Sequence, residues 1–459
     1  MYRSTVESTC SARGCRALTW RAPGLGGDQV KRKVNDVDYL TREEVLDRLG
    51  IKRESLYTYA SRGLLKTLRP PGSRRKLYLK SDVEKLKSRA GERLVRAPVS
   101  QHLRYGEPIV QTLISEIRPE GPRYRGYPAL ELAAQSRSFE YVADLIWTGK
   151  PKPRDVAWNL PTPAAEVDDC VTAARRLYGR SKMRNSRARA DWSDSSWIPA
   201  LLVMLALRQE EHERAAVAGA KGEDAVSTGR SLVAAFAGVA GILSGNSYTP
   251  LRAGEFISEC LLRGFGCSIE GPGVDALNMA LTLSAEHELS APTFAARICA
   301  STGADLAASV ACAVLVQTGP MQAGGAAEVE ELFAAVRKDP GEWPPGYTAR
   351  DLPCFSHPLY DRDPRANLLI QTARDLLPQR AKAACVFDFV DRIEQEQGRH
   401  PNIFAALVML CMALELPSGS AAFLHTLGRI AGWIAHAAEQ RLSGVMLRPR
   451  ARYVGTRVA

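Results

Sequence analysis

The chain has 459 residues, 45% of them hydrophobic and 24% charged, with a net charge of +11. That length exceeds what a single core supports, so two or three domains are expected, and the composition argues against a fibrous or disordered protein. Alanine-rich runs such as 231–244 are broken by glycine and too short to span a bilayer, no apolar leader precedes a cleavage-like site, and the ten cysteines form no CxxC pair. The expectation is a cytoplasmic chain with no membrane partner and no metal, its cysteines serving as small buried hydrophobes.

Residues 1–37 mix Ser, Arg and Gly without periodicity and read as a disordered extension. Order is expected from Tyr39 onward. Thr41 is placed to cap a helix whose first turn carries Glu43 and Glu44, where the helix dipole favours acids. Val45, Leu46 and Leu49 form its apolar face, and Gly50 ends it. A second helix is expected over 53–62, with Leu56 and Tyr59 inward and Lys52, Arg53, Tyr57 and Arg62 outward. The run 69–79 reads as a cation-loaded hairpin tip followed by a strand, and 82–89 as a closing helix. From Arg62 to Arg96 there are 12 basic and 3 acidic residues, a net of 12 − 3 = +9. Such a concentration of charge asks for a polyanionic partner.

Helix, turn, basic helix and basic wing over 38–96 resemble the MerR-like or excisionase-like winged DNA-binding domains. The resemblance implies that Arg53, Tyr57 and Arg62 enter a major groove while Arg74, Arg75 and Lys76 clamp phosphate. A basic protein-interaction or RNA-contacting module fits the same residues. One such domain reads a half-site, so DNA contact would call for a dimeric body.

After Pro98 the pattern becomes helical. Apolar residues recur at helical intervals from Leu130 to Trp147, and Ala/Leu-rich helical patterns follow over 197–207, 229–243, 255–262, 274–284, 292–301, 305–316, 326–336, 365–376, 381–395, 403–414 and 420–442. Alternating strand patterns are almost absent, so the body is expected to be all-α with a sizeable helix–helix interface, as in a dimer. Across 352–365, three prolines stiffen a loop that carries His357 and Arg365 eight residues apart. If they converge, Arg supplies a bidentate fork and His a donor for an oxyanion; the alternative is an ordinary surface turn.

Five segments resemble the citrate synthase family, in order over about 100–459. They are Tyr124-Arg125-Gly126-Tyr127 with 138–143, Ala285-Glu286-His287-Glu288-Leu289-Ser290-Ala291-Pro292-Thr293-Phe294, residues 354–365, Gly428-Arg429-Ile430-Ala431-Gly432-Trp433 and Leu447-Arg448-Pro449-Arg450. The resemblance implies an all-α fold with a large lobe (about 97–320 and 417–459) and a small lobe (about 321–416), preceded by the winged helix-turn-helix module. It implies condensation of acetyl-CoA or propionyl-CoA with oxaloacetate, with acyl-CoA as co-substrate and no permanently bound cofactor. His287, His357, Arg365 and Arg429 correspond to the family's oxaloacetate cradle. Arg448 corresponds to an arginine supplied by a second subunit, which implies a homodimer or a heterodimer with a similar subunit.

Two positions depart from the family. Gln322 stands where the family has an enol-stabilising histidine, and Phe404 where it has the aspartate base. Gln still donates a hydrogen bond; Phe accepts no proton, and a lost base costs ~10²–10⁴-fold. No Asp or Glu lies between His400 and Glu415 to replace it. The glycines usually found before the loop histidine are Cys354-Phe355-Ser356, which removes backbone freedom there. The span from His357 to Arg365 is also one residue short of the family's. His400 and His436 read as structural, and His212 as part of a solvated face. The incomplete catalytic set beside a basic module leaves three readings: an enzyme, a dicarboxylate- or acyl-CoA-responsive DNA-binding regulator, and a pseudo-subunit lending Arg448 to a complete partner.

Overall fold

The computed structural model describes residues 33–34, 37–49, 56, 65, 67–68, 76–83, 110–160, 167–178, 199–206, 224–348, 351–376, 383–449 and 453. The chain divides into two compact units, Met1–Pro108 and Ile109–Ala459.

In the first unit, β1 (Lys33–Val34), β2 (Val37–Leu40), β3 (Thr67–Leu68) and β4 (Leu77–Leu79) form an antiparallel sheet of order β1-β2-β4-β3, and α1 (Arg42–Leu49) follows β2. Thr41 caps α1 as expected, with a reciprocal partner: Glu44 N–H donates to Thr41 Oγ1 at 3.3 Å while Thr41 N–H donates to Glu44 Oε2 at 2.7 Å. Both oxygens therefore serve the helix end, which is a capping box rather than a dipole effect alone. Leu40, Val45, Leu56, Leu65, Tyr78 and Val83 close a small core, so Leu56 points inward as its spacing required. Strand β1 falls inside the stretch expected to be disordered; it pairs with the free edge of β2, with Val34 opposite Val37. Arg53, Tyr57, Arg62, Arg74 and Arg75 lie outside the described residues, and Lys76 is exposed just ahead of β4.

The second unit opens with strands that the periodicity did not reveal: β5 (Ser115–Arg118), β6 (Gly121–Tyr124) and β7 (Tyr127–Pro128), antiparallel in that order. At two to four residues each they are too short to display alternation. Arg125 and Gly126 turn β6 into β7 with φ of 51° and 89°, the paired positive values of a tight hairpin turn. The elements that follow among the described residues are helices. α2 (Ala129–Ala134) and α3 (Phe139–Thr148) replace the one helix read over 130–147. They part at Ser136, whose φ is 52°, and α3 restarts where the Ser138 hydroxyl accepts Tyr141 N–H at 3.1 Å. α4 (Val167–Tyr178) was not anticipated. Residues 199–206 are helical where a helix was read over 197–207.

The pattern at 229–243 also divides, into α5 (Ala225–Ala237) and α6 (Val239–Leu243). Between them the Tyr248 ring lies so close to Gly238 that a Cβ there would sit 2.4 Å from it. α5 starts early because Asp224 accepts the N–H groups of Val226 and Ser227, each at 3.2 Å. Taken together, Ala225–Leu243 is long and apolar enough to cross a membrane by length and composition, and it is mostly buried in the core.

Near their expected bounds follow α7 (Ile257–Phe265), α8 (Gly273–Ser284), α9 (Ala291–Ser301), α10 (Leu306–Gln317), α11 (Gly325–Lys338), α12 (Pro364–Leu376), α13 (Ala384–Gln397), α14 (Ile403–Ala413) and α15 (Ser420–Ser443). The axis of this unit is α15, about 36 Å long at 1.5 Å per residue. Leu424, Leu427, Ile430, Trp433 and Ile434 are fully enclosed along it. Burying each such side chain contributes roughly 1.5–3 kcal/mol. Among the polar residues buried on the same helix are His425, Arg429, His436 and Gln440. Their spacings of 4, 7 and 4 place them on one stripe. That stripe positions the candidate site.

Candidate functional site

The stripe faces the end of α8 and the start of α9, where Glu286 and His287 lie between the two helices. Glu286 is fully buried and reaches two members of the stripe. Its Oε2 is 3.3 Å from Arg429 Nη1, and its Oε1 is 3.1 Å from His436 Nε2. Ser115 Oγ donates to Oε1 at 3.0 Å. Burial alone would raise this carboxyl, but Arg429 and His436 overcome it and hold the pKa below its ordinary value. Gly432 makes the arrangement feasible, because a Cβ there would lie 1.9 Å from Glu286 Oε2. On its far side, His436 Nδ1 is 2.8 Å from Arg297 Nη1, which also donates to Glu439 at 2.7 Å. His436 is thus a structural residue, as read from sequence.

Arg429 is aimed by oxygens at the start of α9: Nη2 donates to Thr293 Oγ1 at 2.5 Å and to Ser290 Oγ at 3.3 Å. Arg365, in the first turn of α12, is held differently. Asp363 takes it in a bidentate grip, with Nε to Oδ1 at 3.0 Å and Nη2 to Oδ2 at 2.8 Å, both residues buried. Burial would raise Asp363, yet Arg365 keeps its carboxyl below the usual value. The same Oδ2 accepts Ile403 N–H at 3.2 Å, tying α12 to the start of α14.

The loop at 352–363 is stiffened by this tie. Cys354 occupies the left-handed region at φ 59°, a conformation that favours glycine and that a non-glycine residue adopts at a cost of order 1–3 kcal/mol. Its carbonyl accepts Asn402 N–H at 2.8 Å, and Asn402 Nδ2 donates to Ser356 O at 3.0 Å. The loss of backbone freedom read from the sequence is therefore a strained residue held in place by the cap of α14.

His357 and Arg365 do converge, and the ordinary-turn alternative is set aside. Leu359 N–H donates to His357 Nδ1 at 3.1 Å, and Arg365 Nη2 is 3.3 Å from His357 Nε2. Burial, reinforced by the Arg365 charge, pushes the His357 pKa down to about 4, so the ring is neutral at neutral pH. A neutral ring whose Nδ1 accepts a hydrogen bond carries its proton on Nε2. Arg365 Nη2 can only donate, so its contact with Nε2 is a hydrogen bond when the ring proton is on Nδ1; with the proton on Nε2 the two N–H groups face one another, an arrangement that an oxyanion satisfies.

His287 packs edge-on against His357, ring centroids 5.2 Å apart, and against Tyr360 at 5.7 Å. Burial first, then the charges of Arg365, His357 and Arg429, depresses its pKa well below 6.5. His287 Nε2 and Tyr360 Oη are enclosed without a hydrogen-bond partner, while Arg429 Nη1 and Glu286 Oε2 have only each other, as an ion pair at 3.3 Å. Orphaned buried polar atoms are rare in native proteins, and two on neighbouring rings, beside two buried arginines, mark a place where a polar ligand belongs.

The other expected residues fall as follows. Gln322 is half-buried in the turn ahead of α11, a turn that packs on the strained loop: a Cβ on Gly325 would lie 3.1 Å from Cys354 Sγ. Phe404 is partly buried in the first turn of α14, its ring centroid 4.6 Å from that of His425. Arg448 is exposed and is not brought to the cluster; the adjacent Leu447 N–H donates to Ser301 Oγ at 3.1 Å. His400 pairs with Glu394 at 3.1 Å, a structural contact.

Sequence reasoning missed His425 and Gln317. His425 lies one turn before Arg429, its spacing of four being the available signal. Its Nδ1 is 2.7 Å from Gln317 Nε2 on α10, both residues buried. No group of three or more His, Cys, Asp or Glu placed to hold a metal occurs among the described residues.

With this geometry in place, comparison with known proteins gives the family. The model of the citrate synthase C-terminal domain matches residues 105–450. The chain belongs to the citrate synthase family. It is 34% identical over 193 residues to putative citrate synthase 2 of Mycobacterium tuberculosis, a match covering 40% of this chain and 52% of that one. Against the citrate synthase of Mycolicibacterium smegmatis the identity is 27% over 369 residues, covering 76% of this chain and 94% of that one. The chain thus spans about half the length of several curated relatives that it matches, and nearly all of the M. smegmatis protein. A solved citrate synthase from Thermoplasma acidophilum, in complex with carboxymethyl coenzyme A and oxaloacetate, shares the fold with TM-score 0.62 at 21% identity, covering 78% of this chain and 97% of that one.

Proposed function

We propose that the second unit binds oxaloacetate at the His287–His357–Arg365–Arg429 cluster and condenses it with acetyl-CoA or propionyl-CoA. The observation that carries this reading is the convergence of His357 Nε2 and Arg365 Nη2, 3.3 Å apart, beside the unpartnered His287 Nε2. Two arginines suit two carboxylates, and a neutral imidazole N–H suits the ketone oxygen, which gains negative charge as the new carbon–carbon bond forms. His357 is the donor to that oxygen. Arg365, already shared with Asp363, and Arg429, shared with Glu286, hold the carboxylates with a reduced net charge. Gln322 supplies a neutral donor toward the thioester oxygen. Arg448 reaches the site of a second copy, so the working form is a dimer. Acyl-CoA acts as co-substrate, and no cofactor is permanently bound.

The test is thiol release from acetyl-CoA or propionyl-CoA with oxaloacetate. Release from the wild-type protein well above an Arg365→Ala control is expected; equal rates would overturn the reading.

For the first unit, the +9 segment and the capped helix α1 beside a short sheet support a winged helix-turn-helix that holds nucleic acid through Arg53, Tyr57, Arg62, Arg74, Arg75 and Lys76. Fluorescence anisotropy with labelled duplex DNA tests it. Binding that weakens on Arg74→Ala with Arg75→Ala is expected, and salt-independent or absent binding would refute it.

A further inference from the structure

The condensation needs a base for the α-proton of the thioester, and Phe404 stands where that base would be. The structure puts another group against the same spot. His425 packs its ring on Phe404 at 4.6 Å between centroids and lies within electrostatic range of His287, Arg365 and Arg429. It is buried, one helical turn from Arg429 on the stripe of α15. Its Nδ1 is engaged by the Gln317 amide at 2.7 Å, and Nε2 has no hydrogen-bond partner among the described residues. The imidazole is oriented by a buried partner, next to the reacting region, with one nitrogen to spare.

We propose that His425 is the base that removes the α-proton, with Gln317 as its positioning residue. This rests on the condensation reading above. The amide of Gln317 presents either its nitrogen or its oxygen to Nδ1, since the two ends of the group exchange by a half-turn. With the oxygen accepting Nδ1–H, the Nε2 lone pair is free. That lone pair takes one proton from the methyl carbon of the thioester. The C–H electrons become a carbon–carbon double bond, and the thioester carbonyl π pair moves onto its oxygen. The enolate carbon then bonds to the ketone carbon of oxaloacetate, whose π pair becomes an alkoxide facing His357 Nε2–H. Burial, with the charges of Arg429 and Arg365, holds the pKa of His425 well below 6.5, so the base is unprotonated at neutral pH. The imidazolium formed in the step is correspondingly acidic and returns its proton readily. The base is thus carried by α15, while the α14 position next to it supplies the wall against which the imidazole packs.

The test measures exchange of the acetyl-CoA methyl protons into deuterated water, by mass spectrometry, with (S)-malate filling the dicarboxylate site. Oxaloacetate affinity is followed by calorimetry on the same proteins. The wild type is expected to exchange. His425→Phe should slow exchange at least 100-fold while oxaloacetate affinity stays within about threefold, and adding Phe404→Asp to that variant should restore exchange. Gln317→Glu, which fixes the Nδ1–H tautomer, should preserve or raise exchange and move its pH profile to higher pH. Unchanged exchange in His425→Phe overturns the proposal. Should that variant lose oxaloacetate binding, and with it its fold, Gln317→Glu decides: an unshifted pH profile overturns the proposal. A wild-type protein that binds oxaloacetate without exchanging overturns this proposal alone, whereas one that binds no oxaloacetate overturns the condensation reading with it.

Discussion

Gly432 is where the site depends most on a missing side chain. A Cβ built there would stand 1.9 Å from Glu286 Oε2 and 2.8 Å from Ala285 O. Ordinary contact begins near 3.4 Å, so in Gly432→Ala the carboxylate must withdraw by 3.4 − 1.9 = 1.5 Å, or α15 must shift away from α8. Glu286 is fully buried and is held by Arg429 at 3.3 Å, His436 at 3.1 Å and Ser115 at 3.0 Å, so a retreat of that size breaks one or more of the three. Overpacking a tight core costs about 1–3 kcal/mol, and depriving a buried charge of its partner costs about 3–5 kcal/mol. Relaxation shares these costs, and a loss of about 4 kcal/mol is expected, roughly a thousandfold in the folding equilibrium. Urea denaturation followed by circular dichroism reads the midpoint directly. Wild-type and Gly432→Ala curves that coincide within about 0.5 kcal/mol would refute the reasoning, because Glu286 would then be free to move without cost.

Asp363→Asn should weaken oxaloacetate binding without removing a contact to it, because an amide has one acceptor oxygen and no charge, so the bidentate ionic hold on Arg365 is lost even where the tie to Ile403 N–H is kept. Titration calorimetry should show a loss of at least tenfold, and an unchanged affinity would show that Arg365 is positioned by something else. The pH dependence of stability has a definite sign. His357 titrates at about 4 in the folded protein against an ordinary 6.5, so between those values the unfolded chain binds the proton and the native state does not. Its contribution, at most about 3 kcal/mol at 1.36 kcal/mol per unit, is therefore lost as pH falls from 6.5 toward 4. His287 and His425 act in the same direction. Glu140, raised by burial to about 7, opposes them below neutrality. Glu288 and Glu330, also raised by burial, act with Glu140, but only Glu140 is shifted far, so against three lowered imidazoles the denaturation midpoint should fall between pH 6.5 and 4.5, less steeply in His357→Gln; a midpoint that rises over that interval would contradict the assignment.

Much of the body was legible because its helices are long. Patterns such as 274–284 and 403–414 carry enough apolar residues for the 3.6 period to show, and α8 and α14 follow within a residue or so of those bounds. The short strands β5 to β7 escaped because four residues cannot display an alternation. The breaks at Ser136 and Gly238 escaped for another reason: a positive φ and an approaching Tyr248 ring are facts of tertiary packing. The same limit applies to the site. His287, His357, Arg365 and Arg429 were found through sequence segments whose order and spacing could be compared. Asp363 and Glu286 were visible as neighbours of those residues, but their part in sharing the arginine charges needed distances. His425 lies 21 positions beyond Phe404 in the chain, so the contact between them is made by the packing of α14 on α15 and has no local signature.

The central claim is that this cluster grips a small dicarboxylate. Calorimetric titration of the full chain with oxaloacetate at neutral pH tests it most directly, alongside Arg429→Gln, which keeps hydrogen-bond donors but removes the charge. The account predicts one site per chain in the wild-type protein and an affinity lower by about 10–100-fold in the variant, the span of one charge-assisted hydrogen bond. No binding by the wild-type protein, or equal affinity in both, would contradict it.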